Sequence, residues 1–462
     1  MPTGDNFTQT VDLCTEKSLF TEFSVGNYRS FKQRVTLSMV AAEIASQPPS
    51  LDAHNVFSAG AGLRLLSSAA IYGANASGKS NLIGALDFMR TFVLSSVQET
   101  TPNQRINVEP FRLGTEQKDA PSHFEIVFLV AAEQYRYGFE VTQEQVTKEW
   151  LYRLGSRREA NLFARDHNLF TINSRQFREG RGLDERTRPN ALFLSVVAQF
   201  NGAIAGTLVR WFADLTILRG LEPAVEALRF RRNFEAHPYR RAIETLMKGY
   251  DIGINALAVE QRPLALASAG SEVDGVAQAV LKALQQQGAP LEQTHILTTH
   301  GVYDAQGQAA GTVVFDLDTQ ESDGTRRLFS LAHPLIQALV EGRIVIVDEL
   351  DARLHPNLAL ELIRLFHHPE GNERHAQLIF TTHNTNLLSA KLFRRDQVWF
   401  VEKSRQGASD LYSLVEYRGD GKLVRNDASF EKDYIAGRYG AVPFIGDLGA
   451  LLGAEREQTA QS

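Results

Sequence analysis

Leu65-Leu-Ser-Ser-Ala-Ala-Ile-Tyr72 runs straight into Gly73-Ala-Asn-Ala-Ser-Gly-Lys-Ser80, and Asn81 to Leu94 follows with Leu82, Ile83, Leu86, Met89 and Val93 at helical spacing. The first run is apolar or small throughout and reads as a buried strand. The last carries one apolar stripe with a period near 3.6 and reads as a helix. The segment between them, Gly73-x-x-x-x-Gly78-Lys79-Ser80, matches the pattern GxxxxGK[ST] in the strand, loop, helix order that this pattern requires. Its physics is specific. Two glycines let the backbone curl so that N–H groups face a phosphate at the helix N-terminus, Lys79 brings a cation to the β- and γ-phosphates, and the Ser80 hydroxyl can ligate Mg²⁺. ATP and Mg²⁺ are therefore the expected ligands.

A second requirement of this chemistry is a carboxylate for the metal and a base for water. Ile344-Val-Ile-Val-Asp348-Glu349 supplies both at the end of a buried apolar strand: Asp348 for the Mg²⁺ shell, Glu349 to orient and deprotonate the attacking water.

Working outward, strand-like runs occupy Phe20–Val25 and Val35–Val40, and three more, Phe124–Val130, Tyr135–Val141 and Val146–Tyr152, suggest an antiparallel meander that forms a side sheet. From Asn201 to about Gln287 the pattern turns helical, ending in the Ala-, Leu- and Gln-rich stretch Val276–Gln287, and predicts a helical lobe inserted into the core. Strand signals return at Gly311–Leu317, Arg343–Val347, Gln377–Thr382 and Gln397–Val401, with helical stretches between the first three, which argues for a largely parallel α/β sheet. The expected boundaries are 17–200 for the N-terminal part of the core, 201–290 for the helical lobe, 291–453 for the C-terminal part and 454–462 for a tail.

The chain has 462 residues, 43% of them hydrophobic and 22% charged, enough for a large core and inconsistent with a disordered or fibrous protein. A net charge of −6 gives no whole-molecule attraction for nucleic acid. Two local arginine clusters run against that balance: Arg153, Arg157, Arg158, Arg165, Arg175, Arg178, Arg181, Arg186 and Arg188, and then Arg229, Arg231, Arg232, Arg240 and Arg241. They leave two readings open, DNA contact by charge neutralisation or faces with intrachain ion pairs. A single cysteine, Cys14, rules out an intramolecular disulfide and a Cys-based zinc site and fits a reducing, cytoplasmic home. Met1–Cys14 is polar, and no window reaches the ~18 apolar residues that cross a bilayer, so neither secretion by signal peptide nor a membrane partner is expected.

Further residues carry a resemblance. Asn27-Tyr-Arg-Ser-Phe31, Asn75 and Asn81 around the P-loop, and Leu350-Asp-Ala-Arg-Leu-His-Pro356 resemble the ABC-type ATPases that include SMC, Rad and RecF-like proteins. The resemblance extends to Glu321-Ser-Asp-Gly-Thr325, 348 − 322 = 26 residues before Asp348, where that class carries its signature motif. It implies an ABC-type P-loop core in which Gly73, Asn75, Ser77, Gly78, Lys79, Ser80 and Asn81 hold the nucleotide, with Lys79 and Glu349 catalytic. Ser322 and Gly324 act on the γ-phosphate bound by a second chain, so that a head-to-tail homodimer or higher oligomer sandwiches ATP. It further implies that His383 senses the γ-phosphate, Asp351 communicates across the dimer, Arg29 touches phosphate in its own chain and Gln199 links metal to lobe. Asp323 stands where the familiar signature has glycine.

More narrowly, Asn27–Phe31, Gly73–Asn81, Arg188–Leu194, Glu349–Pro356 and Tyr434–Pro443 make the chain similar to the AAA15/AAA21-type ATPases of phage-defence and restriction-linked loci, such as the RloA/AbiLi and Septu ATPases. That implies an ATP-driven sensor with a separately encoded effector, often a nuclease. The alternative is a RecF/SMC-like clamp in DNA repair or chromosome maintenance. The related OLD proteins fuse a nuclease behind the ATPase. Here 462 − 383 = 79 residues follow His383, Glu402 and Asp420 lack a clustered acidic partner, and no nuclease is expected in the same chain.

Overall fold

The computed structural model describes residues 18–98, 104–155, 158–220, 230–250, 253–263, 292–389, 391–419, 422–424 and 428–442. The polar N-terminus, the Val276–Gln287 pattern, Arg157, Arg229, Asp420, Pro443 and the 454–462 tail lie outside them. The chain forms two compact units. One is Met1–Ile217 with Leu339–Leu350 and Ile363–Ser462; the other is Leu218–Ala338 with Asp351–Leu362.

In chain order the strands are β1 (Leu19–Gly26), β2 (Val35–Ser38), β3 (Val56–Gly60), β4 (Leu63–Leu66), β5 (Ser68–Tyr72), β6 (Ser122–Val130), β7 (Glu133–Val141), β8 (Val146–Leu154), β9 (Glu159–Asp166), β10 (Leu169–Ile172), β11 (Thr216–Leu218), β12 (Ile254–Pro263), β13 (Glu292–Tyr303), β14 (Ala309–Asp316), β15 (Ile344–Val347), β16 (Gln377–Thr381), β17 (Val398–Lys403) and β18 (Ser409–Ser413). The first unit holds two large sheets. One has the order β11-β15-β16-β5-β17-β18, with β15, β16, β5 and β17 parallel and β18 antiparallel on β17. The other, β10-β9-β8-β7-β6-β1-β2, is antiparallel throughout and contains the expected meander.

Phe20, Phe23, Phe124, Phe128, Phe139, Leu82, Leu86 and Met89 share one buried cluster with Ile71, Ile346 and Ile379 of the parallel strands. Gln377, fully buried at the start of β16, stitches the two sheets together: its Oε1 accepts the Phe20 N–H at 2.7 Å and its Nε2 donates to the Phe20 and Leu66 carbonyls. Glu149 on β8 has a comparable role. It accepts the Phe193 and Leu194 amides and the Tyr137 hydroxyl and faces Arg165 at 3.8 Å, with both charged side chains shut off from water. Burial pushes the Glu149 carboxyl up and lowers the Arg165 guanidinium, so the hydrogen bonds and the opposite charge are what keep the pair ionised.

Three expectations need correction. Leu65–Tyr72 is not one strand. It breaks at Ser67, whose N–H and hydroxyl both donate to the Asn55 carbonyl, so β4 folds back on β3 while β5 enters the parallel sheet. Gly311–Leu317 does not join the parallel sheet either: as β14 it lies in an antiparallel β12-β13-β14 sheet in the second unit. Nor are the described residues of 201–290 a helical lobe. The helix Ala203–Asp214 belongs to the first unit; in the second, Arg240–Gly249 is helical as expected, but Ile254–Pro263 is a strand, because pairing with β13 supplies long-range partners that local pattern does not reveal. No single described helix is long and apolar enough to cross a membrane; the bent pair Phe193–Gln199 and Ala203–Asp214 meets the length and composition test jointly, at 108°.

Candidate nucleotide site

Parallel pairing aligns the C-terminal ends of three neighbouring strands. Val347 pairs with Phe380 and Thr381 with Ile71, so Gly73, Asp348 and Thr382 leave the sheet at the same end. Open α/β sheets bind ligands at this end of the strands. Gly73–Gly78 loops out there, and the helix Lys79–Ser95 starts on Gly78.

Both motif glycines are required by close approach. A Cβ on Gly73 would lie 2.4 Å from the Val401 carbonyl, and one on Gly78, at φ +118°, would lie 2.4 Å from Ser409 Oγ and 2.7 Å from Ser30 Oγ. Lys79 is buried and donates to the Gly73 and Ala74 carbonyls at 2.8 and 3.0 Å. Ala76 is left-handed at φ +60°, Asn75 and Ser80 are exposed, and Ser77 Oγ is buried with no hydrogen-bond partner among the described residues. A narrow backbone cradle with an ammonium drawn into it and an unsatisfied hydroxyl is suited to a polyphosphate.

Asp348 is buried at the end of β15, and Thr381 donates to its Oδ1 at 2.6 Å. The same hydroxyl accepts the Glu349 N–H at 2.7 Å, which holds Glu349, exposed and at φ +52°, in a backbone region that non-glycine residues rarely adopt. His383 is exposed two residues beyond β16, beside Asn384, whose N–H bonds to Thr382 Oγ1 and whose carbonyl accepts from the Tyr72 hydroxyl.

The Asn27–Phe31 turn reaches the P-loop through a residue that the sequence reading passed over. Ser30 Oγ accepts from Asn81 Nδ2 at 2.8 Å, and its carbonyl accepts the Ser409 N–H at 2.7 Å. Arg29, by contrast, is ion-paired with Glu109 at 2.7 Å, and its own N–H bonds to the Glu109 carbonyl. Gln199 is exposed at the end of the helix Phe193–Gln199. That helix is fastened by Ser195 to the Val93 carbonyl and by the Leu192 N–H to Ser96, at the far end of the P-loop helix and about 20 Å along it from Ser80. Among the described residues, no contact brings Arg29 or Gln199 to the strand ends.

Besides Ser30, the structure adds Ser409 (hydroxyl to the Ser77 carbonyl), Lys403 (to the Ala76 carbonyl at 3.2 Å), Thr381 and Tyr434. Tyr434 stacks on Phe400, meets Tyr72 edge-on and donates to the Ala441 carbonyl at 3.2 Å; burial pushes its hydroxyl up to about 12. Only Tyr434 had a signal in the sequence, its Tyr-Ile-Ala-Gly-Arg-Tyr-Gly segment.

Ser322, Gly324 and Asp351 belong to the second unit. Ser322 caps the helix Asp323–Glu341: its Oγ accepts the Thr325 N–H at 3.1 Å, and its carbonyl takes the Arg326 N–H. Glu321 next to it accepts from Thr298 Oγ1 at 2.5 Å and pairs with His300 at 2.6 Å. The Asp323 carboxylate pairs with both Arg326 and Arg353, and these partners hold it below the usual carboxylate range. Asp351 accepts the Leu354 N–H through its carbonyl, and its Oδ1 is buried with no hydrogen-bond partner among the described residues. Tyr250, Ser322, Gly324, Leu328, Leu354 and Glu361 help to line a cavity of about 300 Å³.

Six of the twelve described arginines in the two clusters are paired, bonded or buried inside the chain. Arg153 pairs with Glu133, Arg165 is buried, Arg181 and Arg188 donate to the Ser174 and Val97 carbonyls, Arg231 pairs with Asp318, and Arg240 pairs with Glu235 and Glu244. Among the described residues no group of three or more His, Cys, Asp or Glu side chains is placed to hold a metal ion, and Glu402 accepts instead from the Tyr412 hydroxyl at 3.3 Å.

Solved structures that resemble the chain include the SMC head domain from Thermotoga maritima, at 14% identity and a TM-score of 0.36 over 85% of this chain and 98% of that one, and the Pyrococcus furiosus Smc head domain with an extended coiled coil bound to the C-terminal domain of ScpA, at 14% and 0.38 over 86% and 96%. No curated protein matches. The family model AAA_21, described as "AAA domain, putative AbiEii toxin, Type IV TA system", matches residues 68–389, from the first residue of β5 to the helix beyond His383 and so over most of the chain. The chain belongs to this AAA_21 family of P-loop ATPases.

Proposed function

We propose that the chain binds Mg-ATP, closes on it as a head-to-tail dimer and hydrolyses it slowly, serving as the ATPase sensor of a bacterial defence system with a separately encoded effector. The observation that carries the reading is the alignment of the P-loop, Asp348, Glu349 and the loop bearing His383 at one end of the parallel sheet. In this reading the Gly73–Ser80 amides and Lys79 hold the phosphates, and Ser80 and Asp348 hold Mg²⁺, whose chemistry is charge neutralisation on the phosphate oxygens. Glu349 orients a water and takes its proton, and His383 senses the γ-phosphate. The exposed Ser322–Gly324 turn meets the γ-phosphate of a second chain, with Asp351 beside it. The core is the ABC type, with the antiparallel sheet as its side sheet and Leu218–Ala338 as its insertion.

The family description, which names a toxin and a toxin–antitoxin system, supports an effector partner. Intramolecular pairing of the arginines supports that reading over a DNA-repair clamp. The test is the mass in solution of Glu349→Gln with and without Mg-ATP. ATP-driven doubling that Ser322→Arg abolishes is the expected result, and an unchanged mass with ATP bound would refute the composite site. Lys79→Ala should remove nucleotide binding itself.

A further inference from the structure

Asp323 poses an electrostatic problem for the head-to-tail reading, on which this inference rests: a carboxylate beside Ser322 and Gly324 would repel the incoming triphosphate. Its surroundings answer it. Asp323 is flanked by two guanidinium groups of its own unit, Arg326 from the next turn of the helix and Arg353 at 3.2 Å, so the trio carries a net charge of +1. Arg353 sits hard against the turn: a Cβ on Gly324 would be 3.0 Å from the Arg353 carbonyl. Its backbone is left-handed at φ +64°, yet its side chain is half exposed and, among the described residues, holds only a surface ion pair. Such a pair contributes little and is readily exchanged, whereas arginine binds phosphate through short, charge-assisted and often bidentate hydrogen bonds. Arg326 is less exposed and also donates to the Asp318 carbonyl, so of the two, Arg353 is the one able to leave.

We infer that Arg353 is a further phosphate-binding residue of the composite site, parked on Asp323 in the single chain and transferred to the γ-phosphate of the second chain when the dimer closes. Asp323 is then a latch that aims the arginine and keeps it off nucleotide in an unpaired chain.

The latch and the arginine should respond with opposite signs, which a purely structural cap would not show. In the Glu349→Gln background, light scattering over a protein concentration series gives the affinity of the Mg-ATP-driven association. Arg353→Ala should weaken it roughly tenfold or more. Arg353→Gly should do the same while keeping the left-handed backbone unstrained, which excludes misfolding as the cause. Asp323→Asn should tighten association up to about fivefold, the worth of an exposed ion pair, and the double variant should behave as Arg353→Ala. ATP binding by the dilute single chain should not move in any of them. Parallel weakening by Asp323→Asn and Arg353→Gly, or no change with either, overturns the assignment. Ser322→Arg separates the two levels: if it abolishes association while Arg353→Gly does not, only the arginine role is wrong, and if it leaves association intact, the head-to-tail reading fails and this inference with it.

Discussion

Thr381→Val isolates the side chain on which both acidic residues of the site depend. The substitution keeps the shape of a fully buried residue and removes one hydroxyl, which donates to Asp348 Oδ1 at 2.6 Å and accepts the Glu349 N–H at 2.7 Å. Losing a hydrogen bond to a buried charge costs about 1.5–3 kcal/mol and losing a neutral one about 0.5–1.5 kcal/mol, so unfolding stability should fall by about 2–4 kcal/mol. Function should fall more selectively. The P-loop keeps its own contacts through Ser30, Ser409 and Lys79, so ATP affinity should hold, while Asp348 loses its donor and Glu349 loses the bond that fixes its strained backbone. Turnover should drop on the order of tenfold or more, the effect of misplacing the proposed general base and the proposed metal ligand. Urea denaturation and steady-state ATPase assays measure the two effects. Thr382→Val is the control, since that equally buried hydroxyl only accepts the Asn384 N–H at 2.9 Å. Equal losses in both variants, or a turnover in Thr381→Val that matches the parent, would refute the reasoning.

The buried His367 gives a pH signature. Burial, reinforced by His54 and Arg364, lowers its ring to about 3. The unfolded chain therefore takes up a proton below about pH 6.5 that the native state refuses, and stability should decline by about 1.4 kcal/mol per unit as the pH falls from there toward 3; urea midpoints at pH 7.5 and 5.0 should differ less in His367→Gln. Gly78→Ala should abolish ATP binding in equilibrium titrations while leaving a folded chain, because the added methyl meets Ser409 and Ser30 hydroxyls and a backbone at φ +118°. Glu149→Gln leaves Arg165 buried without its counter-charge, and denaturant unfolding should show a loss of about 3–5 kcal/mol.

What the sequence reveals here is set by how local the cause is. The P-loop and its helix are readable because their requirements, two glycines, a lysine and an apolar stripe, fall within twenty residues. Asp348-Glu349 is readable because an apolar strand precedes it. The break at Ser67 is not, since its cause is the Asn55 carbonyl. The same holds for β12, whose partner strand begins 29 residues after it ends. The Asn27–Phe31 motif was visible as a motif, but only the fold shows that Ser30 faces the P-loop while Arg29 turns to Glu109.

A common logic connects the residues that were missed. Left-handed backbone at non-glycine positions recurs in the candidate site and its flanking turn: Asn27, Arg29, Ala76 and Glu349 in the first unit, and Arg353 beside Gly324 in the second. Each such residue costs free energy that its surroundings must offset. Asn27 is held by the Gln117 and Ala120 carbonyls and the Phe111 N–H, Glu349 by Thr381, and the carbonyl of Ala76 by Lys403. The motif residues form the strained tip, and the supports are ordinary residues, Phe111, Gln117, Ala120, Thr381 and Lys403, with no spacing rule to mark them. Arg353 fits this pattern from the other side. Its backbone is strained, but its side chain has only an exchangeable partner in Asp323, which is the arrangement expected of a group that must change partners.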